Sequence, residues 1–331
     1  MEGGVLDGLD WALAECLARS PRAPFNRIGE VLGVSDQTVA RRYRRLQQLA
    51  SLRVTGHLGV LASGAVQWFL RLHCTPDVAP SLAAALADRP DTSWVNLVSG
   101  GTEVTCTVVS TNTAGTTLLD SLANSRRITS MTAHAVLHRF PPDIWPGLTG
   151  RLDEDQLALL AKDTGQAAFG QADAVEATDL GDGDHAMLRV LRVDGRASAA
   201  VLARAAGYSE ATARRRLVQL QATGQLHFEI DVDSVALGFP HSAHLWVSVS
   251  PSELHRIGAA LAVEPNVPFV GATTGPSNLA ASVLASSPEA LYRFLSDNVG
   301  SHSGIVRFET APIMKTLKRH GSRPAGEQLA T

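Results

Sequence analysis

The strongest constraint on the fold is that the sequence repeats itself. LDWALAECLARSPRAPFNRIGEVLGVSDQTVARRYRRLQQLASLRV begins at Leu9. It aligns without a gap, at an offset of 174, on GDHAMLRVLRVDGRASAAVLARAAGYSEATARRRLVQLQATGQLHF, which begins at Gly183. Asp10 falls on Asp184, Leu17 on Leu191, Arg22 on Arg196, Gly33 on Gly207, Ser35 on Ser209 and Thr38 on Thr212. Arg41-Arg42 fall on Arg215-Arg216. With one residue added, SWVNLVSGGTEVTCTVVS (93–110) falls on PFVGATTGPSNLAASVLA (268–285), so Gly100 matches Gly275. The 331 residues are therefore a tandem duplication of a unit of roughly 140 residues. PPDIWPGLTG (141–150) is Pro/Gly-rich linker material, and LDEDQLALLAKDTG (152–165) predicts one amphipathic connecting helix.

Each unit reads in two parts. In the first, apolar residues recur with helical spacing: Leu9, Leu13, Cys16 and Leu17, then Ile28, Val31 and Leu32, then Val39, Tyr43 and Leu46. Gly33 is suited to end the second helix in the left-handed region, and Ser35 to cap the third; both recur, as Gly207 and Ser209. A helix, a short turn with glycine and a helix with a basic outer face have the arithmetic of a helix-turn-helix.

The second part alternates with period two. AVQWFLRLHC (65–74) and HSAHLWVSVS (241–250) predict strands, and APSLAAALADRP (79–90) and PSELHRIGAALAVEP (251–265) predict helices. Two strands then flank the Gly100 and Gly275 turns. A helix follows (TAGTTLLDSLANS, SPEALYRFLSDNVG) and a last strand (ITSMTAHAVLHRF, GIVRFETAPIMKTLK). This βαββαβ order is the ferredoxin-like pattern, whose open sheet leaves an edge to pair. The expected fold class is α+β: two winged or plain helix-turn-helix domains (1–54, 179–228) alternating with two ferredoxin-like (RAM-type) domains (55–140, 229–321). A linker with its helix spans 141–178, and 322–331 reads as a disordered tail.

The net charge of −3 hides a strong asymmetry. Between Arg19 and Arg53 eight arginines face only Glu30 and Asp36; between Arg189 and His227 seven face only Asp194 and Glu210. Two basic modules on an acidic body are the electrostatic footprint of a polyanion binder. No apolar run is long enough for a membrane span, and the acidic N-terminus lacks a signal core, so a cytoplasmic protein is expected. Cys16, Cys74 and Cys106 form no C-x-x-C pair and read as small buried hydrophobes. Catalysis finds little support. The histidines are scattered, His241 and His244 point to opposite strand faces, and no G-x-S-x-G, Walker A or H-E-x-x-H occurs. Neither metal nor cofactor is expected.

With the motifs LDGLD, GVSDQTVARRYRRLQQLASL, VALGF (235–239), LVSGGTE (97–103) and TGPSN (274–278), the chain resembles the leucine-responsive and asparagine regulator (Lrp/AsnC) family of bacterial transcription factors. The resemblance implies double-stranded DNA and a small-molecule effector of the amino-acid class as partners, and a homo-oligomer, dimer or higher. Two departures stand out. Most members carry one unit per chain, and the family's turn places an acidic residue three after glycine. Here Gly100 is followed by Glu103 but Gly275 by Asn278, so the second effector site is expected to be lost or to differ in specificity. Siroheme decarboxylases resemble the same architecture without working DNA heads and are the enzyme alternative, although their histidine-plus-asparagine-methionine strand pattern is not found here.

On the third helix the apolar stripe turns Gln37, Thr38, Arg41, Arg44 and Arg45 outward, with Arg42 at the margin. An isolated basic helix is more often a solvated face. The in-frame second copy, with Ser209, Thr212, Arg214, Arg215 and Arg216, favours DNA recognition starting at the Ser35 and Ser209 caps. Gln37 becomes Ala211 and Arg45 becomes Gln219, so the two heads are expected to read different half-sites. Arg22 and Arg196 fit either a DNA backbone contact or a cap on their own helix. By resemblance, Ser99, Gly100, Gly101, Thr102 and Glu103, with Thr274, Gly275, Ser277 and Asn278, line the effector pockets; the alternative is an ordinary tight turn.

Overall fold

A computed structural model describes residues 6–59, 65–110, 122, 125, 127–142, 144–162 and 178–320. The first copy runs α1 (Gly8–Arg19), α2 (Phe25–Leu32), α3 (Asp36–Leu49), β1 (Arg53–Leu58), β2 (Val66–Cys74), α4 (Ala79–Asp88), β3 (Thr92–Val98), β4 (Glu103–Ser110) and β5 (Ile128–Arg139). The connector holds α5 (Glu154–Ala161). The second copy runs α6 (Asp182–Val193), α7 (Ala199–Ala206), α8 (Glu210–Ala222), β6 (Leu226–Asp231), β7 (His241–Val249), α9 (Leu254–Ala262), β8 (Phe269–Thr273), β9 (Leu279–Ala285), α10 (Pro288–Arg293) and β10 (Ile305–Lys318). The helix expected over 113–125 and the tail 322–331 lie outside the described residues, apart from Leu122 and Ser125. The order is the mixed α and β one expected. The chain folds as two compact units, each assembled from both copies.

In the first unit, two three-helix heads bury the predicted stripes: Leu13, Cys16, Leu17, Ile28, Val31, Val39 and Leu46 in one, Met187, Leu191, Leu202 and Leu220 in the other. α2 and α7 end at Gly33 (φ 67°) and Gly207 (φ 68°), left-handed positions that cost a Cβ-bearing residue strain. The following helices start at Ser35 and Ser209, whose hydroxyls accept from the backbone N–H groups of Thr38 and Thr212. β1 and β6 then pair antiparallel across the copies, from Arg53 opposite Asp231 to Leu58 opposite Leu226.

Arg22 and Arg196 take neither of the roles their sequence position allows. Each reaches into the other copy. Arg22 donates from Nη1 to the Gly195 carbonyl and from Nη2 to that of Ala197 at 3.0 Å. Arg196 donates to the carbonyls of Pro21 at 2.6 Å and Ala23 at 2.7 Å. The turns after α1 and α6 carry carbonyls that no helical N–H reaches, and the planar guanidinium fork supplies two donors to each. The guanidinium carbons lie over the Phe228 ring (Arg22, 5.4 Å) and the Phe25 ring (Arg196, 4.6 Å). Gly195 lets its turn approach β1: an added Cβ would sit 2.9 Å from the Thr55 amide.

α5 docks on the first head, where Gln156 donates to the Val31 carbonyl and Arg27 to that of Leu159. Ahead of it, the buried Glu15 carboxylate accepts from the amides of Gly150, Arg151 and Leu152.

In the second unit each copy forms a four-stranded antiparallel sheet, ordered β5-β2-β4-β3 and β10-β7-β9-β8. The last strand of each copy lies against the second strand of the other, β5 on β8 and β10 on β3, closing an eight-stranded barrel. The pairing of ferredoxin-like sheets is thus within the chain. Leu245, Val247, Val249, Val270, Leu279, Ala281 and Val283 pack with Ile257, Leu261 and Phe294 in one core; Leu70, Leu72, Val95, Val104, Cys106 and Val108 pack with Ala83 and Leu86 in the other. The alternate face of the strands carries Phe69, Arg71, His244 and Trp246. The three cysteines are free and buried, and burial pushes the Cys16 and Cys106 thiols up to about 12. Among the described residues no helix is long and apolar enough to cross a membrane.

Truncating either clasp arginine leaves two carbonyls of the opposite turn without their donor. Arg22→Ala and Arg196→Ala are each expected to lower the unfolding free energy by about 1–3 kcal/mol, read by urea titration. No shift in midpoint for either would show that the clasp is incidental.

Candidate nucleic-acid interface

α3 and α8 present different side chains in the same frame. On α3, Gln37, Arg41 and Arg44 are exposed and Thr38 is half-buried. Arg44 donates to the Ala40 carbonyl one turn back, while Arg41 extends into solvent. On α8, Arg214 and Arg215 are exposed, Arg214 within reach of Glu210 at 3.1 Å, and Thr212 is half-buried. Exposed i,i+4 pairs of this kind hold a side chain weakly, so Arg214 remains available. Ser35 and Ser209 are engaged as caps, their hydroxyls within 3.0 Å and 2.9 Å of the Thr38 and Thr212 hydroxyls.

Three arginines expected to contact DNA are anchored to the start of the first helix of their own head. Arg42 pairs with Asp7 and, at 3.1 Å, with Asp10; Arg45, placed outward by periodicity, folds back on the Asp10 carboxylate. In the second head Arg216 grips Asp184 with Nε and Nη2, each at 2.7 Å, and Gln219, at the position of Arg45, accepts from Arg216 at 2.9 Å. A long guanidinium side chain swings back because a buried carboxylate, at the third residue of a helix start, needs a cationic partner. Asp10 and Asp184 are 0% and 2% exposed. Burial alone would push the Asp184 carboxyl up, but Arg216 and the Gly181 amide hold it below the ordinary 3.8. Arg41, Arg42 and Arg45 line an open hollow of ≈ 420 Å³. In the sequence Asp10 and Asp184 register only as matched positions of the repeat; their common frame with Arg42 and Arg216 is the one signal of the anchor.

The two turns of the barrel unit differ. Ser99, Gly100 and Gly101 all have positive φ, and an added Cβ at either glycine would meet open space. Thr102 is exposed and donates to the Ser99 carbonyl at 2.8 Å. Glu103, by contrast, is buried against Arg71. In the second turn Thr274 and Gly275 are exposed and Ser277 is half-buried, but the polar groups are engaged within the unit. The Thr274 hydroxyl accepts from the Ala135 amide at 2.9 Å and its carbonyl lies 2.7 Å from His134 Nδ1. The Ser277 carbonyl accepts from the Thr273 hydroxyl. Asn278 exchanges two 2.8 Å bonds with the Val249 backbone. Here the amide is bound to the end of β7, in keeping with its divergence from Glu103. His241 is exposed and His244 buried, on opposite faces of β7, where burial takes the His244 imidazole down to about 3.

Paired helix-turn-helix heads and paired ferredoxin-like sheets in one chain define a duplicated protein of the helix-turn-helix class. Comparison with known proteins supplies the family. The model of the AsnC-type helix-turn-helix domain matches residues 6–47 and 181–221, and that of the Lrp/AsnC ligand binding domain matches 242–323. An HTH-type transcriptional regulator of Pyrococcus furiosus is 30% identical over 139 residues, 42% of this chain and 93% of that protein. The HTH-type transcriptional regulator FL11 of Pyrococcus horikoshii is 28% identical over 142 residues, 43% of this chain and 93% of that one. The chain belongs to the Lrp/AsnC family of transcriptional regulators, and each of these relatives matches the length of one copy. In fold, the siroheme decarboxylase NirDL covers 95% of this chain, itself covered to 93%, with a TM-score of 0.63 and 11% identity. That likeness is one of architecture.

The Asp184 carboxyl is depressed in the folded state, so its contribution to stability is present above 3.8 and lost as pH falls through the lower folded value. Asp184→Asn is expected to reduce stability at about pH 7 and to flatten the loss between about pH 5 and pH 2. Urea midpoints across that range check it; parallel curves for variant and wild type would refute the anchor.

Proposed function

We propose that one chain is a complete two-headed reader of double-stranded DNA, with α3 and α8 as the recognition helices for the two half-sites of one operator. The observation that carries this is the pair of basic faces, centred on Arg41 and Arg44 and on Arg214 and Arg215, in one compact unit whose heads are tied by the arginine clasp and the β1–β6 ribbon. Linking two heads covalently raises the effective concentration of the second once the first is bound. A homo-oligomer would then multiply this pair of heads. Because Gln37 corresponds to Ala211 and Arg44 to Val218 in the two frames, the operator is read as asymmetric.

Regulation by a small molecule of the amino-acid class is the finer part of the proposal. It is supported by the ligand-binding domain match, which falls on the second copy at 242–323, and for the first copy by the positive-φ turn at Ser99–Gly101. It assigns the site to the first copy, since Asn278 and Thr274 of the second are committed to backbone partners. The rival reading is an enzyme acting on siroheme, favoured by the fold likeness over nearly the whole chain. An absorbance spectrum unchanged by siroheme addition, beside a gel shift with DNA upstream of the protein's own gene, decides between them.

In salt-dependent binding to such a fragment, Arg41→Ala, Arg44→Ala and Arg215→Ala are each expected to weaken binding about tenfold and to reduce the salt slope by about 1. Gln37→Ala is expected to relax preference at one half-site only. A perfectly palindromic footprint, with both heads equally sensitive to mutation, would contradict the asymmetric operator.

A further inference from the structure

The acidic turn of the first copy is already filled by the chain itself. Glu103, 1% exposed, accepts from Arg71 Nε at 2.6 Å and Nη2 at 3.3 Å, and from the Ser99 hydroxyl at 3.1 Å. The same guanidinium donates to Glu309 of β10 at 2.6 Å and 3.2 Å, and its carbon lies 4.8 Å over the Trp246 ring. Two carboxylates from different copies and an aromatic face are a recognition set for a guanidinium. Arg71 pulls the Glu309 carboxyl below its ordinary value despite partial burial. In the second copy the register puts Trp246 where Arg71 stands, since Arg71 faces Thr105 on β4 as Trp246 faces Ala280 on β9, and Asn278 falls on Glu103. Cation and carboxylate have both gone from that turn, so the arrangement is a matched feature of the first turn alone.

We propose that Arg71 is an internal ligand: its guanidinium occupies the place where the cationic group of an effector would meet Glu103. This rests on the reading of the Ser99–Glu103 turn as an effector site. The first ferredoxin-like copy is therefore held in an occupied state without any small molecule. A tethered group competes at high effective concentration, and an incoming ammonium has to displace two charge-assisted forks. Shortening Arg71 uncovers a site whose chemistry selects guanidinium over ammonium compounds.

The test uses the full chain with Arg71→Gly. Because two carboxylates left facing each other destabilise the barrel, Arg71→Gly is also combined with Glu309→Gln. Circular dichroism establishes folding, and the probe is methylguanidinium at about 10 mM, with methylammonium as control. A rise in Tm on the order of 3 °C is expected for the variants with methylguanidinium alone, and none for the wild type. Wild-type operator affinity is expected to respond to an amino-acid effector only at concentrations about tenfold or more above those acting on the Arg71→Gly variant. A folded variant with no guanidinium-specific rise overturns the internal ligand and leaves the effector reading intact. Equal sensitivity of the wild type and Arg71→Gly to an amino acid whose effect is abolished by Glu103→Gln also overturns it, since Arg71 then does not compete for the turn. A response that survives Glu103→Gln fails the effector reading of this turn instead, and the guanidinium arm still decides the role of Arg71.

Discussion

A βαββαβ sheet ends in two strands whose outward N–H and C=O groups have no partner, and the barrel unit is shaped by how those edges are met. The last strand of each copy lies on the second strand of the other, so the two sheets close on each other as one barrel. Duplication within one chain makes that closure intramolecular. It also places residues from both copies side by side, which is why Arg71 of the first copy meets Glu309 and Trp246 of the second. The pattern recurs in the head unit, where β1 of one copy takes β6 of the other as its ladder partner.

Arginine does three kinds of work in the heads, and position alone does not separate them. Arg22 and Arg196 use the planar fork to satisfy turn carbonyls of the opposite copy. Arg42 and Arg216 hold α3 and α8 against buried aspartates of the first helix of each head. Arg41, Arg44 and Arg215 are left exposed to solvent. A buried carboxylate without a cation costs several kcal/mol, so the anchored arginines are the less exchangeable ones although they look alike in sequence.

The copies have diverged where identical residues would serve least. The anchor aspartates, the clasp arginines, the capping serines and the αL glycines are kept in frame. Gln37 and Ala211, Glu103 and Asn278, and Arg71 and Trp246 are the departures, on the outer helix faces and in the barrel turns. The first set keeps each head folded and joined to the other. The second varies exposed helix faces and residues at the seam between the copies, and α5, docked on the first head through Gln156 and Arg27, adds a further difference.

The duplication, the helix-turn-helix with its Gly33 stop and Ser35 cap, the ferredoxin-like strand order and the basic faces are all legible in the sequence. They rest on local periodicity, backbone preferences and charge, which neighbouring residues determine. The inward return of Arg45, the crossing of Arg22 and Arg196 and the capture of Glu103 by Arg71 are not legible there. Each joins residues 32 or more positions apart, whose approach depends on helix packing or strand register. The sequence by itself determined which elements form and that everything occurs twice. Only the tertiary structure decided which copy each element pairs with, because an open strand edge and an unpartnered carbonyl specify the need for a partner and not which partner meets it.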